Sequence, residues 1–217
     1  MNPSYSSNIH VLQHPLLQHK LTLLRDTNTA KKLFNELVHE ITIMLAYEAT
    51  RSLPTQAKIV QTPIATTEGA EIAEKKCVIL PILRAGLSMV NGFLTLMPAA
   101  PVGHIGLFRD EKTLEPKEYY FRIPQHSEQR RIFVCDPMLA TGGSACRAIH
   151  QLKKRNIHQI IFVCLVAAPE GIQRLQQEHP ETPVYTACID QQLNEQGFIV
   201  PGLGDAGDRL FGTQEDV

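Results

Sequence analysis

The sequence predicts an α/β fold in which a parallel sheet is covered by helices on both faces. Two observations carry that expectation. The apolar runs CVILPIL (77–83), IFVC (132–135) and QIIFVCLVAA (159–168) lack the polar alternation of a half-exposed strand, so they read as strands buried on both sides. Amphipathic helical segments stand between them, the alternation that builds a parallel sheet. Ligands of such sheets bind beyond the carboxyl ends of the strands. Function is therefore sought in Arg84-Ala85-Gly86, Arg109, Asp136 to Ser144, and Asp190 onward.

Taken in order, residues 1–27 read as an N-terminal arm with short ordered pieces. From Thr29 to about Ser52, Leu33, Phe34, Leu37, Val38, Ile41, Met44 and Leu45 recur at three and four, which predicts a helix. Asn28 or Thr29 is its expected N-cap and Pro54 its stop. Residues 58–73 suit a short strand pair. A helix is expected from Leu87 to Leu96, ended before Pro98, then a strand at 102–108. The charged stretch 109–118 and YYFRIP (119–124) predict a projecting hairpin or flexible loop, serving as a lid or as an oligomer contact. A glycine-rich turn after Cys135 opens a helix whose one face carries Ala145, Ala148, Ile149 and Leu152. A short helix at 170–178 and a strand at 183–189 complete the series. No repeat, low-complexity segment or linker divides the chain, so 1–217 is expected to form one domain.

Composition narrows the function classes. The 217 residues are 43% hydrophobic and 20% charged, ordinary for a globular domain. A net charge of −1 speaks against a general nucleic-acid or membrane-surface binder, which needs a clustered basic excess. No signal pattern opens the chain, and the apolar run at 160–168 is too short to span a bilayer. Cys77, Cys135, Cys146, Cys164 and Cys188 form no C-x-x-C and sit mostly in apolar surroundings, as reduced core residues of a cytoplasmic protein would. His10, His14 and His19 come with no acid or cysteine cluster, so no protein metal site is expected.

Two glycine-rich stretches need an explanation. Gly202, Gly204 and Gly207 fit G-x-G-x-x-G, but only ten residues follow Gly207. That leaves no room for the crossover helix, second strand and distant acid of a dinucleotide site. The other is IFVCDPMLATGGSA (132–145), where a buried strand, an acid and a loop of small residues open a helix. Thr141, Gly142, Gly143 and Ser144 offer N–H groups and hydroxyls at the helix start, a cradle for phosphate. The Gly-x4-Gly-Lys spacing of an NTPase loop is absent. Asp136 can accept hydrogen bonds from two sugar hydroxyls, so acid and cradle together match a ribose 5-phosphate. The plainer use is an N-capped helix with an acid employed locally.

DPMLATGGS (136–144), PILRAGL (81–87) and GDAGDRLFGT (204–213) resemble the three signatures of the uracil phosphoribosyltransferase family. HPLLQHKLTLLRD near the start and LAYEATR (45–51) are similar to it too, so the resemblance runs along nearly the whole chain. One departure from the wider superfamily is that Cys135, not a second acid, precedes Asp136. The uracil branch commonly shows one acid.

The resemblance implies a type I phosphoribosyltransferase fold with a C-terminal base-binding hood, residues 190–213. It implies transfer of the phosphoribosyl group of 5-phosphoribosyl 1-diphosphate (PRPP) to N1 of uracil, giving UMP and diphosphate. PRPP would be held by Arg84, Arg109, Asp136, Pro137, Met138, Leu139, Ala140, Thr141, Gly142, Gly143, Ser144 and Asp205. Uracil would be held by Ile199, Gly204, Asp205 and Ala206. Arg84 and Asp205 are the candidates for catalysis, Arg84 on the diphosphate and Asp205 as the one nearby acid, with the general base left unassigned. Guanidinium suits a diphosphate; surface ion pairing is the competing use of Arg84 and Arg109. Mg²⁺ bound mainly through PRPP, a GTP effector and a homodimer or larger homo-oligomer also follow from the resemblance. A PRPP- or UMP-sensing homologue without turnover is the alternative, and a purine phosphoribosyltransferase is opposed by the C-terminal loop.

Overall fold

The computed structural model describes residues 7–72, 76–109 and 116–213. The N-terminal arm is more ordered than expected. It holds strand β1 (Ile9–Val11) and helix α1 (Pro15–Arg25), which starts on Pro15 with the His14 imidazole accepting from the Leu16 N–H. Leu17, Leu21 and Leu24 line its buried side, so a helical period was present in the arm. Helix α2 (Lys31–Ala49) buries Phe34, Leu37, Val38, Ile41 and Leu45. Its N-cap is Ala30, not Asn28 or Thr29, because both of those are used by the preceding turn. The Thr29 hydroxyl donates to the Leu23 carbonyl, and the Asn28 N–H to Asp26. The expected strand pair is an antiparallel hairpin, β2 (Thr55–Gln61) with β3 (Thr66–Ile72), almost wholly exposed.

The centre follows the expected alternation: β4 (Cys77–Leu83), α3 (Leu87–Leu96), β5 (His104–Arg109), β6 (Pro116–Arg122), β7 (Arg131–Cys135) and β8 (Met138–Leu139). Then come α4 (Gly143–Lys153), β9 (Ile160–Ala167), α5 (Pro169–Glu178) and β10 (Val184–Ile189). A small antiparallel pair, β11 (Gln192–Leu193) and β12 (Ile199–Val200), precedes α6 (Ala206–Phe211). The large sheet runs β1-β10-β9-β7-β4-β5-β6, with β8 beside β9. Every pairing from β1 to β5 is parallel. Only β6 is antiparallel, and it pairs with β5; of the expected hairpin or loop over 109–124, residues 110–115 lie outside the described ones.

Alternate residues of the central strands face two cores, which is why their sequences are continuously apolar. Ile79, Phe133, Val163 and Leu165 pack with α1, α2, α3 and α6. Val78, Leu80, Ile132, Val134, Phe162 and Cys164 pack with α4 and α5 on the other face. Four of the five cysteines are buried.

Candidate active site

Because the central strands are parallel, β4, β5, β7, β9 and β10 all deliver their carboxyl ends to one edge. Arg84, Arg109, Asp136, the start of α5 and Asp190 therefore share that edge.

The loop after β7 is zipped onto its neighbour rather than hanging free. The Pro137 carbonyl accepts from Leu165 and Val166 at 2.9 and 3.2 Å, and the Leu139 carbonyl from Ala168 at 2.9 Å. Leu139 itself is buried in the core. Gly142 then N-caps α4 at φ +77°, a conformation that strains any residue with a Cβ. Thr141 and Gly142 N–H groups have no protein acceptor among the described residues, while Gly143 N–H lies 3.5 Å from the Thr141 hydroxyl. Ser144 is exposed in the first turn of α4. The loop is thus held from behind by β9, and the segment expected to cradle phosphate leads directly into α4.

A residue overlooked in the sequence lies behind that loop. Gly171 of α5 sits so close that a Cβ there would come within 2.4 Å of the Ala140 carbonyl oxygen. Glycine in a helix is unfavourable by about 1 kcal/mol relative to alanine, and the close approach is the reason for it. The signal available was a glycine two residues inside a helix.

Asp136 has its own backbone N–H bonded to the Val163 carbonyl and accepts weakly from Met138 N–H at 3.4 Å. It is open toward the ligand edge but otherwise enclosed, and desolvation raises its carboxyl to about 7 against that single N–H contact. Arg84 is exposed, has no carboxylate partner among the described residues, and stands 6.0 Å from the Phe211 ring of α6. Arg109 ends β5 at the same edge.

The C-terminal glycines close the site from the other side. Gly202 has φ +63° and a Cβ there would meet the Ile199 carbonyl at 2.1 Å. Gly204 has φ +70°, with nothing within 4 Å of a Cβ. Ile199 and Ala206 are buried in the core beneath. Asp205 N-caps α6, accepting from Asp208 N–H at 3.0 Å, so one of its oxygens has a structural task. The β11–β12 pair spans toward the cradle: a Cβ on Gly197 would sit 3.7 Å from the Thr141 methyl. The Glu170 carboxylate accepts from Leu193 N–H at 3.0 Å, fastening this pair to α5.

Two histidines of the arm have other contacts: His10 stacks on Tyr185 at 4.4 Å and His14 caps α1. Among the described residues one group of possible ligand atoms gathers, Cys146, Glu178 and His179. Lys153 already lies 2.7 Å from the His179 ring and Arg174 2.8 Å from Glu178, so cationic side chains occupy that ground.

Comparison with solved structures gives the class. The fold matches the structure of the AQ2163 protein from Aquifex aeolicus with a TM-score of 0.89 at 37% identity, covering 96% of this chain and 100% of that one. It also matches an adenine phosphoribosyl transferase from Trypanosoma brucei with a TM-score of 0.56 at 13% identity, over 88% and 87% of the two chains. The architecture is that of the type I phosphoribosyltransferases. A family model described as uracil phosphoribosyltransferase matches residues 11–213. Relatives named uracil phosphoribosyltransferase from Streptococcus agalactiae serotype III and Streptococcus uberis are 59% and 58% identical, each over 94% of this chain and 98% of their own length. The chain belongs to the uracil phosphoribosyltransferase family.

Proposed function

We propose that this single domain transfers the 5-phosphoribosyl group of PRPP to N1 of uracil, releasing diphosphate and forming UMP. The observation that carries this is the likeness to uracil phosphoribosyltransferases across residues 11–213, a span that includes both the 136–144 loop and the 199–206 loop. The sensing alternative is not favoured.

The roles follow from placement. Asp136 accepts from the ribose hydroxyls, and Ala140 to Ser144 take the 5-phosphate on N–H and hydroxyl groups. The backbone of Pro137, Met138 and Leu139 holds that loop in register. Departure of diphosphate leaves positive charge on the ribose and puts negative charge on the leaving group, so Arg84 and Arg109 act most strongly in the transition state. Asp205 faces the PRPP side while capping α6. Backbone groups from Ile199 to Ala206 pair with the two carbonyls and N3–H of uracil. Cytosine reverses one of those partners and would leave a buried polar group unpaired. Asp136 is the one carboxylate within 136–144, a donor set that fits Mg²⁺ held chiefly by PRPP oxygens. When bound, Mg²⁺ supplies charge neutralisation on the diphosphate.

The same reading includes a homodimer or larger homo-oligomer, a GTP effector and a cytoplasmic location. Five cysteines, four of them buried, support the last. No helix among the described residues is long and apolar enough to cross a membrane.

Product analysis tests the reading. The pure protein is incubated with PRPP and Mg²⁺, with uracil, cytosine, adenine or hypoxanthine in separate tubes, with and without GTP. UMP from uracil alone is the expected result. PRPP binding without nucleotide in any tube would reinstate the sensor.

A further inference from the structure

We propose that Arg25 and Asp190 form a positioning pair that sets the shape of the uracil-binding loop from outside the site. The inference rests on the reading of 199–206 as that loop.

Arg25 is the last residue of α1 and Asp190 follows β10. Their side chains meet in a fork: one guanidinium nitrogen lies 2.6 Å from Asp190 Oδ1 and the other 2.8 Å from Oδ2. The pair also holds both backbone groups of one residue. Arg25 donates to the Gly202 carbonyl at 2.8 Å, and Gly202 N–H donates to Asp190 Oδ2 at 2.8 Å. Gly202 holds a positive φ of +63°, and only the lack of a Cβ lets its backbone pass the Ile199 carbonyl, so no other residue could take the clamped conformation. Ile199 stands three residues before it and Gly204 two residues after. A clamp on the Gly202 backbone thereby fixes the direction of both flanks.

Exposed ion pairs do little, but this one is enclosed, with the Asp190 side chain 5% and the Arg25 side chain 24% exposed. The Cys188 sulfur lies 3.1 Å from the guanidinium and completes the enclosure. A second tie runs to the same place: Arg209 donates to the Leu203 carbonyl at 3.0 Å and to the Asp26 carbonyl at 2.6 Å. The loop is thus fastened to the end of α1 at two successive residues. Lysine cannot replace Arg25, because a single ammonium does not serve two carboxylate oxygens and a carbonyl with fixed planar geometry.

The test compares Arg25→Lys, Arg25→Ala and Gly204→Asn, with KM for each substrate, kcat, Tm and the uracil-to-cytosine preference. The clamp predicts that Arg25→Lys raises the uracil KM at least tenfold and lowers the preference for uracil. The PRPP KM should stay within twofold, and guanidinium ion should partly restore the uracil KM of Arg25→Ala. Equal increases in both KM values in step with a fall in Tm, without rescue, would reduce the pair to a general fold contact and overturn the proposal. If Arg25→Ala does not fold, Arg25→Lys decides alone. An unchanged uracil KM in Gly204→Asn would sink the base-loop reading itself. A raised one, with Arg25→Lys unaffected, would sink only the clamp.

Discussion

Asp136 is an acid placed where burial works against its charge. Its carboxyl near 7 means that a sizeable fraction is protonated at neutral pH before substrate arrives. The ionised form is the one that accepts from two ribose hydroxyls, so PRPP affinity should rise between pH 6 and 8. Asp136→Asn should flatten that rise and weaken PRPP binding by roughly 1–3 kcal/mol, measurable by calorimetry. An unaltered affinity would remove Asp136 from the ribose. Stability carries the opposite sign. Between the ordinary carboxyl value of 3.8 and about 7, the folded state keeps its proton while the unfolded state has lost it. Stability therefore falls as pH rises through that window and levels off above it. The Tm of Asp136→Asn should exceed that of the parent by a gap that widens from pH 5 to pH 8. At Gly204, φ +70° and the open space beside it separate two effects of substitution. Asparagine tolerates the conformation, so Gly204→Asn should keep the fold and block uracil while sparing PRPP.

At the scale of elements, the cradle is a loop pressed between β9 and α5. Gly171→Ala isolates that packing. Helix propensity alone would favour alanine by about 1 kcal/mol. Against it stands a Cβ 2.4 Å from the Ala140 carbonyl oxygen, a distance that forces backbone to move. The displacement should dominate: the PRPP KM rises tenfold or more while the uracil KM changes little. A Tm gain with unchanged kinetics would show that the loop yields freely. The elements themselves were legible where one face or both meet a core: β4 and α3 begin and end where their residues indicated. The start of α2 was less legible, because Asn28 and Thr29, read as candidate capping residues, instead close the turn before it. A capping residue and a turn residue share the same chemistry.

For the molecule as a whole, the β2–β3 hairpin stands away from both cores. Ile59 is 66% exposed and Ile64 95% exposed at its tip. If the chain forms the proposed homo-oligomer, these exposed apolar residues make the hairpin a candidate contact. Ile64→Asp should shift sedimentation toward the monomer and leave monomer stability nearly unaltered. An oligomer that survives the substitution would place the contact elsewhere.

The sequence by itself determined the buried parallel strands, the edge that their carboxyl ends form, and the identity of the residues at the end of each strand. Local spacing suffices for these, since burial on both faces, helical period and glycine-rich turns all leave marks within a few residues. Only the tertiary structure decided that the N-terminal arm joins the sheet as β1 beside β10, and that Arg25 reaches Gly202. It likewise decided that Gly171 lies against Ala140. These contacts join residues far apart in the chain. Nothing in the local pattern around an arginine or a glycine records which distant backbone it will meet, because that partner is chosen by packing of the whole.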